Sequence, residues 1–208
     1  MVWGSQYASW KKKRMKVLAL SPHTDDIEFA CGGSITRWIR EGSEVYAVSF
    51  TSASAQKKEF EEASEVLGIK NTELFQYPVR RFGENRQRIL DEMVGLERRI
   101  KPDLVLIPSS TDTHQDHQVI REEGFRAFKR TSLLGYEMPQ NNISFQTSMF
   151  VKLTELDIHN KVRALQKYTS QASRPYISEE FIRGLALVRG MQAGTKFAEA
   201  YEVIRWMI

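Results

Sequence analysis

Cysteine is almost missing from this chain: Cys31 is the only one among 208 residues. No intrachain disulfide can form, so a disulfide-stapled secreted scaffold is excluded and a reducing, cytoplasmic compartment is expected. Long apolar runs are missing as well, and none approaches the roughly 18 residues that a membrane span needs. Internal repeats, low-complexity tracts and Pro/Gly/Ser linkers are absent. With 41% hydrophobic residues the chain can bury one full core, so a single domain is expected. Clustered basic charge on the body is the last absence. The formal net charge is +4, but Lys11, Lys12, Lys13 and Arg14 are the only charged residues among the first 14, and without them the remainder is neutral. A nucleic-acid partner therefore has no electrostatic footprint to bind. Residues 1–14 are expected to be an extension, and the domain is placed at 15–208.

What is present is an alternation of short apolar runs and amphipathic stretches. Val17 to Leu20 reads as a buried strand, Ser34 to Arg40 as helix, Val45 to Phe50 as strand, and Lys57 to Leu67 as helix closed by Gly68. Glu73 to Gln76, a helix from about Glu84 to Ile100, and Leu104 to Ile107 continue the pattern. This grammar predicts an α/β fold of Rossmann-like type, a mostly parallel sheet with helices on both faces. A further helix is expected to about Lys129, followed by a turn-rich region around Gly135, Pro139 and Asn141-Asn142. Ile143 to Leu153 then reads as strand, Glu155 to Tyr168 and Ser178 to Met191 as helices, and Phe197 to Trp206 as strand or short helix. This last third is expected to pack on the same sheet.

Two segments carry chemistry. Pro22-His23-Thr24-Asp25-Asp26-Ile27-Glu28 follows the first strand, and His114-Gln115-Asp116-His117 follows the fourth, where open parallel sheets bind ligands. His23 and Asp26 are three apart and can face one point, leaving Asp25 aimed elsewhere. His23, Asp26 and His117 would supply three protein ligands of zinc type with a position left open. Singly, each residue reads more readily as a helix cap or a satisfied histidine than as a ligand. Their concentration is what argues for a site, since three of the four histidines fall in these two segments. His159 reads as a surface residue, and Cys31 as packing beside Gly32-Gly33. The paired glycines lack a phosphate-binding fingerprint and read as close helix-to-strand packing. Arg80 follows the third strand and could border the same cleft.

The chain resembles the LmbE-like, or PIG-L, zinc-dependent N-deacetylases. The resemblance rests on Ser21 to Asp26 with Glu28 and Gly32-Gly33, on Glu59, Ala63 and Leu67-Gly68, on Lys101-Pro102-Asp103, on Asp112 to His117, and on Phe197-Ala198-Glu199-Ala200-Tyr201. It implies His23, Asp26 and His117 as ligands of zinc, with other divalent ions also suited to a His/His/Asp set. It implies Asp25 as general base, a protonated His114 as oxyanion stabiliser, and Asp116 as the group that hydrogen-bonds and tunes His114. Departures are Thr24 and Ile27 within the first motif, and Gln56 where many relatives carry an arginine near the mouth.

The expected function is therefore a metal-dependent hydrolase that removes an acetyl or similar small acyl group from the nitrogen of an amino sugar or sugar conjugate. Tyr136, Asn141, Asn142 and Phe145 are candidates for a sugar platform or for turn and strand packing. A non-catalytic carbohydrate- or metabolite-binding module is the alternative, and the presence of Asp25 argues against it. Relatives of this kind often form homo-oligomers, but no apolar stripe in the sequence marks an interface.

Overall fold

The computed structural model describes residues 14–51 and 54–207; all but the last residue of the expected extension lies outside them. The chain alternates as expected: β1 (Lys16–Ser21), α1 (Asp26–Arg40), β2 (Glu44–Ser49), α2 (Ser54–Leu67), β3 (Asn71–Leu74), α3 (Arg86–Ile100), β4 (Leu104–Pro108), α4 (Gln115–Ala127), β5 (Ser132–Tyr136), β6 (Met149–Leu153), α5 (Glu155–Leu165), α6 (Glu179–Gln192) and β7 (Phe197–Arg205). The seven strands form one sheet in the order β3-β2-β1-β4-β5-β7-β6. The first five strands are parallel, with Val17 in register with Val45 on one side and Leu104 on the other. β7 runs antiparallel to both of its neighbours.

Because strand side chains alternate in direction, a strand buried on both faces must be apolar throughout. β1 meets that demand. Val17 and Ala19 join α1, α2, α5 and α6 on one face, while Leu18 and Leu20 join α3 and α4 on the other. The chain builds outward from β1 to β3, then crosses back to β4 and β5. The crevice between the carboxyl ends of β1 and β4 is thus the point where the winding reverses.

Two expectations about elements change and one open alternative is resolved. The region around Gly135 is not a turn but the fully buried strand β5. Glycine is required there by close approach: a Cβ would stand 2.9 Å from the Ser109 Cα and 3.0 Å from a Glu202 carboxylate oxygen. The strand expected from Ile143 begins only at Met149, because the ladder with β7 starts at the Met149–Tyr201 pair, and Ile143 is left solvent-exposed. Phe197 to Arg205 resolves as strand. Gly32 and Gly33 lie inside α1, where added Cβ atoms would meet Lys161 at 3.0 Å and Leu153 at 2.6 Å, in keeping with the packing role. Cys31 is buried.

Candidate metal centre and active site

Each motif lies where a strand hands over to a helix. After β1 the chain turns so that the His23 amide donates to Asp26 Oδ2 at 2.8 Å. Asp25 occupies the N-cap position of α1 and Asp26 its first turn, where the helix N-terminus favours negative charge. After β4, His114 caps α4, its Nδ1 accepting the Asp116 amide at 3.2 Å, and Asp116 and His117 follow, both buried. The sheet order places these two segments side by side.

The result is a triangle of donor atoms. His23 Nδ1 lies 3.4 Å from Asp26 Oδ2 and 3.3 Å from His117 Nε2, and His117 Nε2 lies 3.3 Å from Asp26 Oδ2. Ligands about 2.0–2.1 Å from a tetrahedral ion are separated by about 3.3–3.4 Å, so the three atoms fit the face of such a polyhedron. The outer nitrogens of both rings are held by carboxylates. His117 Nδ1 meets Asp112 Oδ2 at 2.8 Å, and His23 Nε2 meets Asp116 Oδ2 at 3.2 Å. Each carboxylate takes a proton on the outer nitrogen and turns the inner lone pair toward the triangle. His114 stands beside them, and one ligand atom from each of His23, His114 and His117 falls within a 4.8 Å span, so this three-histidine group can hold a metal.

Charge in the triangle is arranged for a cation. Burial works against protonation of His23, but the Asp116 and Asp26 carboxylates outweigh it and raise the ring to about 9. His117 rises to about 10 because Asp26 and Asp112 likewise overcome its burial. Burial would push Asp26 up, yet the His117 and His23 rings hold it well below the carboxylate range. A pocket that binds protons this strongly offers the same electrostatic well to a metal ion.

Asp25 stands outside the triangle. Burial, then the Asp26 charge, lift its carboxyl to about 6 against the opposing pull of Arg174, whose Nη1 lies 3.6 Å from Asp25 Oδ2. His114 behaves differently from expectation. Burial, then the His117 and His23 charges, hold it below the ordinary imidazole value, which favours the neutral ring. Its Nδ1 is used as an acceptor, so the neutral ring carries its proton on Nε2. The Asp116 carboxylate hydrogen-bonds to His23, to the Arg80 amide (2.6 Å) and to the Phe82 amide (3.3 Å); Asp116 hydrogen-bonds to His114 through its backbone N–H, while its charge opposes the lowering of that ring.

These groups form the floor of a cleft of about 400 Å³, whose walls include Thr51, Gln56, Arg80, Asn141, Arg174 and Tyr176. Arg80 and Gln56 therefore border the site, as their positions after β3 and β2 suggest. Of the four candidates for a sugar platform, only Asn141 is among the lining residues. Tyr136 is fully buried with its hydroxyl donating to the Leu20 carbonyl, Asn142 braces the loop after β4 through Ser109 and Thr111, and Phe145 packs against Arg189. His159 is exposed, as expected.

Sequence reasoning assigned no part to Asp112, Arg174 or Tyr176. Asp112 had a signal in its five-residue spacing from His117. Arg174 and Tyr176 had none, since they arrive from the segment between α5 and α6. Glu59 explains how that segment is placed: its carboxylate accepts the Thr169 hydroxyl (2.9 Å), the Ser170 amide (2.9 Å) and the Ser170 hydroxyl (2.6 Å). Glu199 is structural. It pairs with buried Lys161 at 2.6 Å and accepts the Gly33 and Ser34 amides, joining β7 to α1.

Residues 18–128 match the family described as PIG-L, GlcNAc-PI de-N-acetylase. The chain is 28% identical to the uncharacterized deacetylase YaiS of Escherichia coli K12, over 81% of this chain and 98% of that protein. It is 23% identical to diacetylchitobiose deacetylase of Thermococcus kodakarensis, over 91% of this chain and 83% of the other. The conserved protein TT1542 of Thermus thermophilus shares the fold with a TM-score of 0.80 at 22% identity, over 93% and 96% of the two chains. So does GalB, the 4-carboxy-2-hydroxymuconate hydratase of Pseudomonas putida, with a TM-score of 0.78 at 20% identity, over 93% and 98%. The fold thus carries more than one reaction, and the site must decide between them. With the family match covering more than half of its residues, the chain belongs to the PIG-L (LmbE-like) deacetylase family.

Proposed function

We propose that this protein is a zinc-type, metal-dependent amide hydrolase that removes an acetyl or similar small acyl group from the nitrogen of an amino sugar or sugar conjugate. The observation that carries the reading is a donor triangle with 3.3–3.4 Å edges beside a buried carboxylate, Asp25, that takes no part in it. His23, Asp26 and His117 would hold the ion, which when bound supplies Lewis-acid polarisation of the amide carbonyl and of a water molecule. Asp112 and Asp116 keep the two rings in the tautomers that this requires.

The rest of the chemistry belongs to the chain. Asp25, with its carboxyl raised to about 6, is ionised at neutral pH yet basic enough to accept the proton of the attacking water. The same carboxyl can then deliver that proton to the departing nitrogen, so no second acid is required. Neutral His114 donates from Nε2 to the amide oxygen as negative charge develops there, the electrostatic contribution that is usually largest in such reactions. The diacetylated sugar named for the Thermococcus kodakarensis relative supports an N-acetyl sugar as the substrate class. The amide side chains of Gln56 and Asn141 on the cleft walls suit sugar hydroxyls.

The test is amine release from a panel of N-acetylated sugars and sugar conjugates, with metal-loaded and chelator-stripped protein compared. Metal-dependent release from any member is expected. Silence across the panel by protein that binds one metal per chain would overturn the hydrolase reading in favour of binding or of a different reaction on this fold.

A further inference from the structure

The neutral sum of the body's charge conceals an uneven distribution. The amino-terminal ends of the parallel strands lie opposite the cleft, and β7, running antiparallel, brings its carboxyl end to the same side. There Arg205 is in register with Leu133, its Nη1 donates to the Phe128 carbonyl at 2.7 Å, and its guanidinium stacks over the Phe125 ring at 4.7 Å. The Met207 amide donates to Ser132 Oγ at 3.0 Å, which fixes Trp206 and Met207 beside the turn that carries Lys129 and Arg130. Phe125, Trp206 and Met207 are 47%, 51% and 52% exposed. Large apolar side chains exposed together, unlike single scattered ones, mark an interaction surface. Lys129 and Arg130 are exposed as well, and no hydrogen bond or ion pair among the described residues takes up their side chains. The same holds for Arg98 and Lys101 at the end of α3, beside the start of β4. The helix dipole accounts for a basic residue in a last turn, such as Arg98. It does not account for Lys129 and Arg130, which follow the Phe128 cap of α4. Two acids of the same end are bonded toward β1 and β2, Asp103 to the Lys16 amide at 3.0 Å and Glu44 to the Tyr46 hydroxyl at 2.7 Å.

We propose that this end of the sheet docks onto an anionic phospholipid membrane, with Phe125, Trp206 and Met207 entering the headgroup region and Lys129 and Arg130 meeting the lipid charge. Aromatic and other apolar side chains interleaved with basic ones suit the membrane interface, where ring and ammonium find their preferred layers side by side. The sequence before β1 repeats the pairing: Trp3, Tyr7, Trp10 and Lys11 to Lys13 precede Arg14, which is exposed and enters β1 at this same end. A second copy is a poor occupant, because a two-fold contact between these faces would set unpaired cations against each other. A nucleic acid would answer the charge but give Phe125 and Met207 no apolar layer to enter. The cleft opens at the other end of strands of five or six residues, about 20 Å away, so docking leaves it open to solution. Docking of this kind does not depend on which reaction the cleft performs.

The experiment sediments the metal-loaded full chain with phosphatidylcholine vesicles that contain either no phosphatidylserine or about one-third of it. Binding should favour the anionic vesicles at least about tenfold and weaken several-fold from low to near-physiological salt. The double change Lys129→Glu with Arg130→Glu should reduce that affinity more than about tenfold, and Trp206→Ser about threefold to tenfold. Lys101→Gln, at the neighbouring strand end, should reduce it about threefold to fivefold. All three sets of changes are at exposed positions, and melting temperature and metal content should stay at native values. Removing residues 1–13 should weaken binding further while leaving a preference for anionic vesicles. Equal binding to the two kinds of vesicle would overturn the inference, as would an affinity unmoved by the changes at 129, 130 and 206. Self-association that Trp206→Ser abolishes, without vesicle binding, would assign the face to a second copy and overturn it too. So would tighter binding to duplex DNA or RNA than to the anionic vesicles at the same salt.

Discussion

The floor of the cleft comes from two short segments, residues 23–26 and 112–117, whereas its walls draw on loops after β2, β3 and β5 and on the segment between α5 and α6. On the floor Asp26, His117 and Asp116 are buried, His23 is partly exposed, and second groups hold them: His117 by Asp112, His23 by Asp116, Asp116 by the Arg80 and Phe82 amides. On the walls exposure is greater, with Arg80 and Arg174 exposed and Gln56, Asn141 and Tyr176 half-exposed, and the segment carrying Arg174 and Tyr176 is tied to α2 by Glu59. The contrast divides the labour. In the proposed hydrolase a well-braced floor would set which bond is broken, and the more exposed wall would set which molecule is brought to it.

The sharpest way to break that division is Asp25→Asn. Turnover of any accepted substrate should fall about 10²- to 10⁴-fold, as for loss of a general base. Metal content, read by elemental analysis, should stay at the native value because Asp25 lies outside the triangle; loss of metal would place it among the ligands. Asp112→Asn attacks the floor from behind. Without a carboxylate on Nδ1, His117 loses its orientation, and metal affinity measured against a competing chelator should fall about 10- to 100-fold. A wall change such as Tyr176→Phe should leave that affinity unchanged.

The pH dependence of stability sharpens the same contrast. In chelator-stripped protein, His23 and His117 are raised from 6.5 to about 9 and about 10. Groups raised on folding contribute stability that is fully present below the unfolded value and lost as pH rises through the folded one. The melting temperature of stripped protein should therefore decline between about pH 6.5 and pH 10, while metal-loaded protein, whose ring nitrogens no longer carry those protons, should show a flatter profile. Parallel profiles would mean that the triangle does not hold the ion. The smallest effect expected is that of Gly135→Ala, in which a methyl group forced to 2.9 Å from the Ser109 Cα should cost about 1–3 kcal/mol, seen as a lower denaturation midpoint. Protein that still folds should keep its metal affinity, because the strain falls on β5 and not on the donors.

Much of this molecule is legible from residues alone where the signal is local. β1 to β4 follow from apolar runs separated by helical periodicity, and the proposed ligand set rests on His23 and Asp26 at one-turn spacing behind a strand, with His117 behind another. Legibility fails where a nonlocal contact overrules a local signal. Gly135 reads as a turn because glycine usually marks one, yet it sits mid-strand to admit Ser109 and Glu202. Asp116 reads as the partner of His114, two residues away, but its carboxylate turns to His23, 93 positions distant. The resemblance implies a protonated His114, but burial, then the His117 and His23 charges, favour the neutral ring.

By itself the sequence determined the alternating layers, the donor chemistry and a spare carboxylate beside it, because periodicity and one-turn spacing act within a few residues. Only the tertiary structure decided that His23, Asp26 and His117 close to 3.3–3.4 Å, which carboxylate holds which ring, and that Arg174 faces Asp25. Those relations join segments that the sheet order brings together, and hydrogen-bond and coordination distances tolerate errors of only a few tenths of an ångström.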